Sequence, residues 1–378
     1  MIFKPFSSRA LNEIFLHIGL HKTGSTSIQE TLYMNRDILE ERSFLYPKCF
    51  PSNHSVPMYS AFCDSPENYY MNIRHQRGTE QVKEFNKQNL MNLEKEIYAS
   101  KAKKLIISAE ELSVLPKANL ARLKKYLKKY SKKIKVIIFV RNPVSWGASL
   151  MQEKIKGGAT YESAFESTLN ELRTLYKTRV GNSLKLFKNV EVIKFEDAIQ
   201  HEKGLVGHFL SSIGFDTDEI EMFKQVRINE SISNLAADIM SYINSKIPIF
   251  LDGKLHPERK EGDLWPLCGI RGEKFNIPYE LKKQFYDASL EDILWLKKRV
   301  GIDYTDTKLS KDDNPQVLFS KEALIDIKQA YFGLTDPLKE KVLEYLELQN
   351  NNYLVKDLLM DLTFSYNTNN PKRTTLSN

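Results

Sequence analysis

Residues 21 to 27 read His-Lys-Thr-Gly-Ser-Thr-Ser, which puts one lysine, one glycine and four hydroxyls into seven consecutive positions. That set suits an anion. Lys22 brings a charge, Thr23, Ser25, Thr26 and Ser27 bring hydroxyl donors, and Gly24 lets backbone N–H groups come close to a phosphate. Two further constellations could act with it. Arg141 is followed eight residues later by Ser149, and a planar guanidinium fork with a hydroxyl suits a dianionic phosphate. Glu110 and Glu111 stand side by side, and a desolvated carboxylate with a raised pKa can take the proton of an attacking hydroxyl. Acids in a first helical turn also stabilise the helix dipole with no chemical role, so at least one of the pair reads as structural. His54 lies in the turn-rich stretch Phe50-Pro-Ser-Asn-His-Ser-Val-Pro57. The prolines of that stretch exclude a helix interior, and a surface-loop histidine is the plain reading. His17 alternates with apolar neighbours and reads as a packed core residue, and His21 reads as shaping its loop.

Hydrophobic patterning predicts the elements that must carry these groups. Ile14, Phe15, Leu16 and Ile18 predict a buried strand, and the stretch from Gln29 to Met34 predicts a helix. The 21–27 loop then lies at a helix N-terminus, where the backbone favours negative charge. An ordinary capped turn is the plain alternative. Val136 to Val140 are apolar and β-branched, the pattern of a central parallel strand, with Arg141 at its carboxyl end and Pro143 opening the next helix. Lys104 to Ser108 predict another buried strand, ending at the acid pair. Strands at 14–18, 104–108, 135–140 and 190–195 alternate with helices at 24–34, 81–99, 117–131, 144–156, 162–187 and 204–213. This predicts an α/β fold: a central parallel sheet, helices on both faces, and ligands at the carboxyl ends of the strands.

A nucleoside-triphosphate P-loop reads G-x-x-x-x-G-K-[ST], with lysine after the last glycine and the hydroxyl on magnesium. Here Lys22 precedes Gly24, and no Gly-Lys-Ser/Thr occurs in the chain. Together with Arg141 and Ser149, the loop resembles the sulfotransferases that use 3′-phosphoadenosine 5′-phosphosulfate (PAPS), in their bacterial, carbohydrate-sulfotransferase-like branch. The stretches Gly204–Phe215 and Arg227–Leu235 look like late segments of that group. The resemblance implies a P-loop-type three-layer domain in which Lys22, Thr23, Gly24, Ser25, Thr26 and Ser27 hold the 5′-phosphosulfate. It implies that Arg141 and Ser149 hold the 3′-phosphate, and that a Glu or His leaving the 104–108 strand is the general base. Glu110 fits that place best, while related bacterial sequences often carry a histidine near His54, which implies that His54 could touch the acceptor or act as base in place of Glu110. The cofactor implied is PAPS, the product adenosine 3′,5′-bisphosphate, and no metal is required. The implied acceptor is a saccharide or glycoconjugate. Tyr59, Phe62, Tyr69 and Tyr70 are able to stack on sugar rings or to serve as core. A late loop closes over the nucleotide in many relatives, which makes Arg271, Gly272 and Lys274 candidates for a lid. The competing readings are a metal-dependent P-loop kinase and a nucleotide- or nucleic-acid-binding scaffold without turnover.

These expectations divide the chain into a sulfotransferase-like α/β domain over 1–305, with an irregular acceptor-side insertion at 43–80 and a lid loop at 248–278. Helices at 230–245 and 279–300 complete it. A helical extension over 306–366 packs on the core or on a second copy as a homodimer, and the Asn/Thr/Ser-rich tail 367–378 reads as disordered. With 42% apolar and 27% charged residues the chain is globular. Its apolar runs are too short to span a bilayer and Met1–Glu13 lacks an apolar signal core. Cys49, Cys63 and Cys268 form neither a disulfide framework nor a zinc pattern. The reading is a bacterial, cytoplasmic enzyme. The net charge of +7 suits an anionic nucleotide. Much of it lies where Lys124, Lys125, Lys128, Lys129, Lys132 and Lys133 interleave with Leu120, Leu123, Tyr126, Leu127 and Tyr130, an amphipathic helix with a basic solvent face. No nucleic-acid-binding module accompanies it, so the face reads as solvated, not as a nucleic-acid site.

Overall fold

The computed structural model describes residues 10–226, 231–311, 315–349 and 351–369. Arg227–Glu230 of the late Arg227–Leu235 stretch and the tail from residue 370 on lie outside the described residues. Five strands form one parallel sheet: β1 (Glu13–His17), β2 (Phe44–Leu45), β3 (Lys104–Ser108), β4 (Ile134–Val140) and β5 (Asn189–Lys194), in the order β2-β3-β1-β4-β5. β1, β3 and β4 are buried at nearly every position, with apolar centres, as strands covered on both faces must be. β5 lies at an edge and mixes Glu191 and Lys194 with its valines.

Phe15, Ile106, Ile137 and Phe139 point to one face, where they join Ile28 and Leu32 of the helix Ser25–Met34 and Phe209 and Leu210 of the helix Gly204–Ser212 in a buried cluster. Their strand neighbours Ile14, Leu16, Val136 and Ile138 point the other way and are fully buried too. The helix Leu175–Leu186 packs against β4 and β5. The α/β fold with a central parallel sheet is thus the one the alternation predicted. The order places a switch point beside β1. After β1 the chain leaves toward β2 and β3, and after β4 it leaves toward β5, so a crevice opens between the carboxyl ends of β1 and β4.

Three features differ from the sequence expectation. β2 is new: two residues are too few to show a period. The 43–80 region is helical, with helices Ser55–Phe62 and Tyr70–Arg74 and a 3₁₀ turn Pro66–Asn68. Pro57 sits in the first turn of its helix, where a proline removes no intrahelical hydrogen bond. The expected helix 162–187 is two helices, Tyr161–Leu172 and Leu175–Leu186.

The second of these helices is capped from far away. Asp292 accepts hydrogen bonds from the backbone N–H groups of Tyr176 (2.5 Å) and Lys177 (2.9 Å). Burial raises the Asp292 pKa from 3.8 to about 6, against the pull of those two N–H donors. A group that holds its proton more tightly when folded stabilises the fold most below its unfolded pKa, and that contribution is lost as pH rises through its folded value. The difference corresponds to roughly 3 kcal/mol between protonation states. Thermal melts between pH 4 and 7 should therefore show a decline through pH 6 that Asp292→Asn lacks; an unchanged slope in the variant would refute the assignment.

The described residues pack into two compact units. One comprises residues up to Trp146, Glu171–Asn229 and Tyr286–Thr307 and contains the whole parallel sheet. The other gathers Gly147–Asn170, Glu230–Phe285 and the residues from Lys308 on, so the C-terminal helices pack with two earlier segments. Within it, Arg259 and Asp263 form a buried ion pair (2.7 Å), and Arg259 also donates to the carbonyl of Ile247 (2.5 Å), which ties the 248–278 loop to the helix Asn234–Lys246. The helices Lys321–Phe332, Asp336–Leu348 and Tyr353–Asn369 follow. The last runs three residues into the segment expected to be a disordered tail.

Candidate active site

The loop after β1 has a tightly curled backbone. Lys22 and Gly24 both take left-handed conformations, with φ of 63° and 75°. Gly24 has a second reason to be glycine: a Cβ there would stand 2.2 Å from Leu205 Cδ2. Gly24 is also the N-cap of the helix Ser25–Met34, and a glycine brings no side chain to cap it. The first turn of a helix presents N–H groups without intrahelical acceptors, and together with its dipole this end attracts an anion.

Two residues from the β4 exit hold the loop by its carbonyls. Arg141 Nη1 donates to the carbonyl of Lys22 (2.9 Å), and Trp146 Nε1 donates to that of His21 (2.7 Å). Arg141 Nε also donates to Ser145 Oγ (3.2 Å), and its guanidinium stands 5.2 Å from the Phe195 ring centroid. Asn142 Oδ1 caps the helix Pro143–Lys156 through the N–H groups of Val144 (3.0 Å) and Ser145 (3.3 Å). Inside the loop, Thr23 Oγ1 donates to the Leu20 carbonyl (2.6 Å) and is fully buried. The Thr23 hydroxyl thus braces the loop from inside. Lys22, Gly24, Thr26 and Ser27 are half-buried.

The acid pair sits at the end of the neighbouring strand β3. Glu110 accepts a short hydrogen bond from Ser25 Oγ and a longer one from Asn53 Nδ2 (3.3 Å). The structure thus brings Glu110 to the 21–27 loop across 85 residues of sequence. Glu111 turns elsewhere. Its Oε1 lies 3.5 Å from His21 Nε2 and accepts from Tyr70 OH (3.1 Å). Burial alone would raise the Glu111 pKa, but the His21 bond and charge hold it below the usual carboxylate value. Burial likewise works against the charged form of His21, yet the Glu111 bond and the charges of both acids raise its pKa. Arg179 approaches His21 Nδ1 (3.4 Å) and pairs with Glu171. Glu110 and Glu111 therefore have separate partners, Ser25 at the start of the helix that follows the loop and His21 within the loop itself, the latter beside Arg179.

His54 is neither a surface residue nor an exposed base. It is fully buried, stacks near Tyr46 (4.3 Å between centroids), and its Nδ1 accepts from the backbone N–H of Ser108 (3.2 Å). Burial lowers its pKa to about 3, so it is neutral. His17 is the core residue the pattern predicted, with Nδ1 2.8 Å from Ser108 Oγ and a pKa lowered by burial to about 3. Of the four aromatics considered for stacking, Phe62 and Tyr69 are core residues, while Tyr70 is 41% exposed. Ser149 lies on the helix that Pro143 opens, in the part belonging to the second unit. Arg271 holds Asp326 with two donors, at 2.7 and 2.9 Å. Gly272 packs on Ser233, which is bridged to Lys274. Asn53, Ser145, Trp146 and the His21–Glu111 pair are parts of the site the sequence reading had not assigned; an asparagine beside His54 was the one visible signal. Among the described residues no three His, Cys, Asp or Glu are grouped to hold a metal, and no helix is long and apolar enough to cross a membrane.

No family model and no curated protein matches the chain. Among solved structures it is similar to a sulfotransferase from Alicyclobacillus acidocaldarius, with 13% identity and a TM-score of 0.42 over 79% of this chain and 98% of that one. It is also similar to the sulfotransferase domain of the Synechococcus PCC 7002 olefin synthase, with 14% identity and a TM-score of 0.35 over 76% and 98%. A third is the sulfotransferase domain from the curacin biosynthetic pathway, with 14% identity and a TM-score of 0.36 over 75% and 98%.

Proposed function

We propose that the chain is a sulfotransferase acting on PAPS and an acceptor hydroxyl, with a saccharide or glycoconjugate as the acceptor class. The observation that carries the reading is the grouping of Lys22, Arg141 and Glu110 at the carboxyl ends of the adjacent strands β1, β4 and β3, around a loop whose lysine precedes its glycine. A phosphate cradle accounts for the first two residues. A carboxylate touching that cradle would repel the ligand and has no use in mere binding, whereas proton removal requires one.

In this reading the curled loop and the helix end hold the 5′-phosphosulfate, and Arg141 holds the 3′-phosphate. The bound cofactor supplies the sulfuryl group: a bond forms from the acceptor oxygen to sulfur, the sulfur–oxygen bond to the 5′-phosphate breaks, and the bisphosphate leaves. Glu110 takes the acceptor proton. Lys22 balances charge growing on the phosphate oxygen left behind. Ser25 turns its hydroxyl from Glu110 to the ligand, which frees the carboxylate as the site fills. The Glu111–His21–Tyr70 group lines the acceptor side, and the exposed Tyr70 ring supports a sugar acceptor.

Nucleotide recognition tests this. Calorimetry should show adenosine 3′,5′-bisphosphate binding about a hundredfold more tightly than AMP or ATP, since losing a charged multi-donor contact costs a few kcal/mol. Equal affinity for ATP would favour the kinase reading instead. A homodimer through the C-terminal helices is the partner reading, supported by Tyr353, Met360 and Phe364 on one face of the last helix at 72%, 65% and 74% exposure. Light scattering should give twice the chain mass, reduced to one by Met360→Glu with Phe364→Glu; a wild-type monomer would refute it.

A further inference from the structure

A groove of about 360 Å³ opens at the amino ends of the strands, on the sheet edge opposite the phosphate loop. Five lysines line it, Lys124, Lys128, Lys132, Lys133 and Lys188, with Glu13 the one carboxylate among its lining residues. They come from separate elements. Lys124 and Lys128 stand at the end of the helix Lys117–Leu127, Lys132 and Lys133 lead into β4, and Lys188 leads into β5. Cations at a helix C-terminus complement its dipole, which accounts for the first two. It does not account for the other three, which are off the helix and repel them. Lys124 shows the strain of the grouping: burial, then the charges of Lys128 and Lys188, lower its pKa. Lys124 Nζ also bonds the Leu186 carbonyl and stands 5.6 Å from the Phe187 ring, which fixes it at the groove wall.

We propose that this groove binds a compact oligophosphate anion at a site separate from the phosphate loop. The charge excess and the concavity select the ligand. Closely spaced phosphates match several lysine point charges at once, and a pocket of this volume takes a small anion more completely than it takes a duplex or a bilayer, which need an extended basic surface.

Inorganic tripolyphosphate is the probe, titrated calorimetrically into the full chain in low salt with and without saturating adenosine 3′,5′-bisphosphate. The expected result is one tripolyphosphate bound per chain in both titrations, weakening steeply as salt rises. The variant carrying Lys128→Gln, Lys132→Gln and Lys188→Gln should lose on the order of a hundredfold in tripolyphosphate affinity, with its bisphosphate affinity unchanged. Lys188→Gln alone, at an exposed position, should lose about fivefold and serves if the triple variant does not fold. Displacement by the bisphosphate would move the binding to the phosphate loop and overturn the proposal. So would wild-type affinity in the lysine variants, absence of binding in low salt, or lysine-dependent binding of duplex DNA or anionic vesicles without tripolyphosphate binding.

Discussion

Glu110→Gln is expected to lower kcat by roughly two to four orders of magnitude while nucleotide affinity stays unchanged. Glutamine keeps the size of the side chain; its one oxygen can accept from Asn53 while its amide NH2 donates to Ser25 Oγ, so the loop keeps its shape. It cannot hold the acceptor proton. Glu111→Gln provides the contrast. It removes the charge that faces His21 and Tyr70 and should raise the acceptor KM more than it lowers kcat. Initial rates with saturating nucleotide separate the two. A Glu110→Gln enzyme with near-normal kcat would transfer the base role away from Glu110, and the burial and lowered pKa of His54 leave it a poor successor.

Lys22→Ala should cost turnover by about two to three orders of magnitude, with a much smaller loss in nucleotide affinity. The ammonium matters most when the bridging oxygen becomes a phosphate oxygen with full charge. The loop itself is held by contacts alanine leaves alone, since Arg141 bonds the Lys22 carbonyl and Trp146 that of His21. Lys22 adopts φ 63°, so alanine there carries a modest backbone strain; Lys22→Gly serves as the strain-free control and should be equally slow. In the proposed role a fixed cation does this work, so activity should persist in EDTA. A Lys22→Ala enzyme with wild-type kcat, or a strict magnesium requirement, would each remove the lysine from the chemistry.

The parts of this site that sequence made legible are those written in short segments. The loop at 21–27, the strand ends at Ser108 and Val140 and the residues just beyond them are local patterns, and periodicity finds such patterns directly. What stayed hidden depends on partners far along the chain. His54 reads as a loop residue because prolines flank it, but the Ser108 N–H and the Tyr46 ring bury it. The break after Leu172 depends on Asp292, 116 residues from Tyr176. The division of labour between Glu110 and Glu111 is invisible in two adjacent identical letters. It follows from which residue of the 21–27 loop each carboxylate meets, Ser25 or His21, once β3 lies beside β1.

That strand order has a kinetic consequence. Ser25 meets Glu110 across 85 residues, His17 meets Ser108 across 91, and Lys22 meets Arg141 across 119. Each of these contacts closes a long stretch of chain before any of its energy returns, and topologies rich in such contacts fold slowly. Ligand capacity should therefore arrive late in refolding, well after helix content has recovered. In a stopped-flow refolding experiment, the gain of bisphosphate binding should lag the far-ultraviolet signal. Until it appears, the half-made sheet exposes the β1 surface on which both neighbours must dock, which makes that interval the one in which the chain is most prone to aggregate.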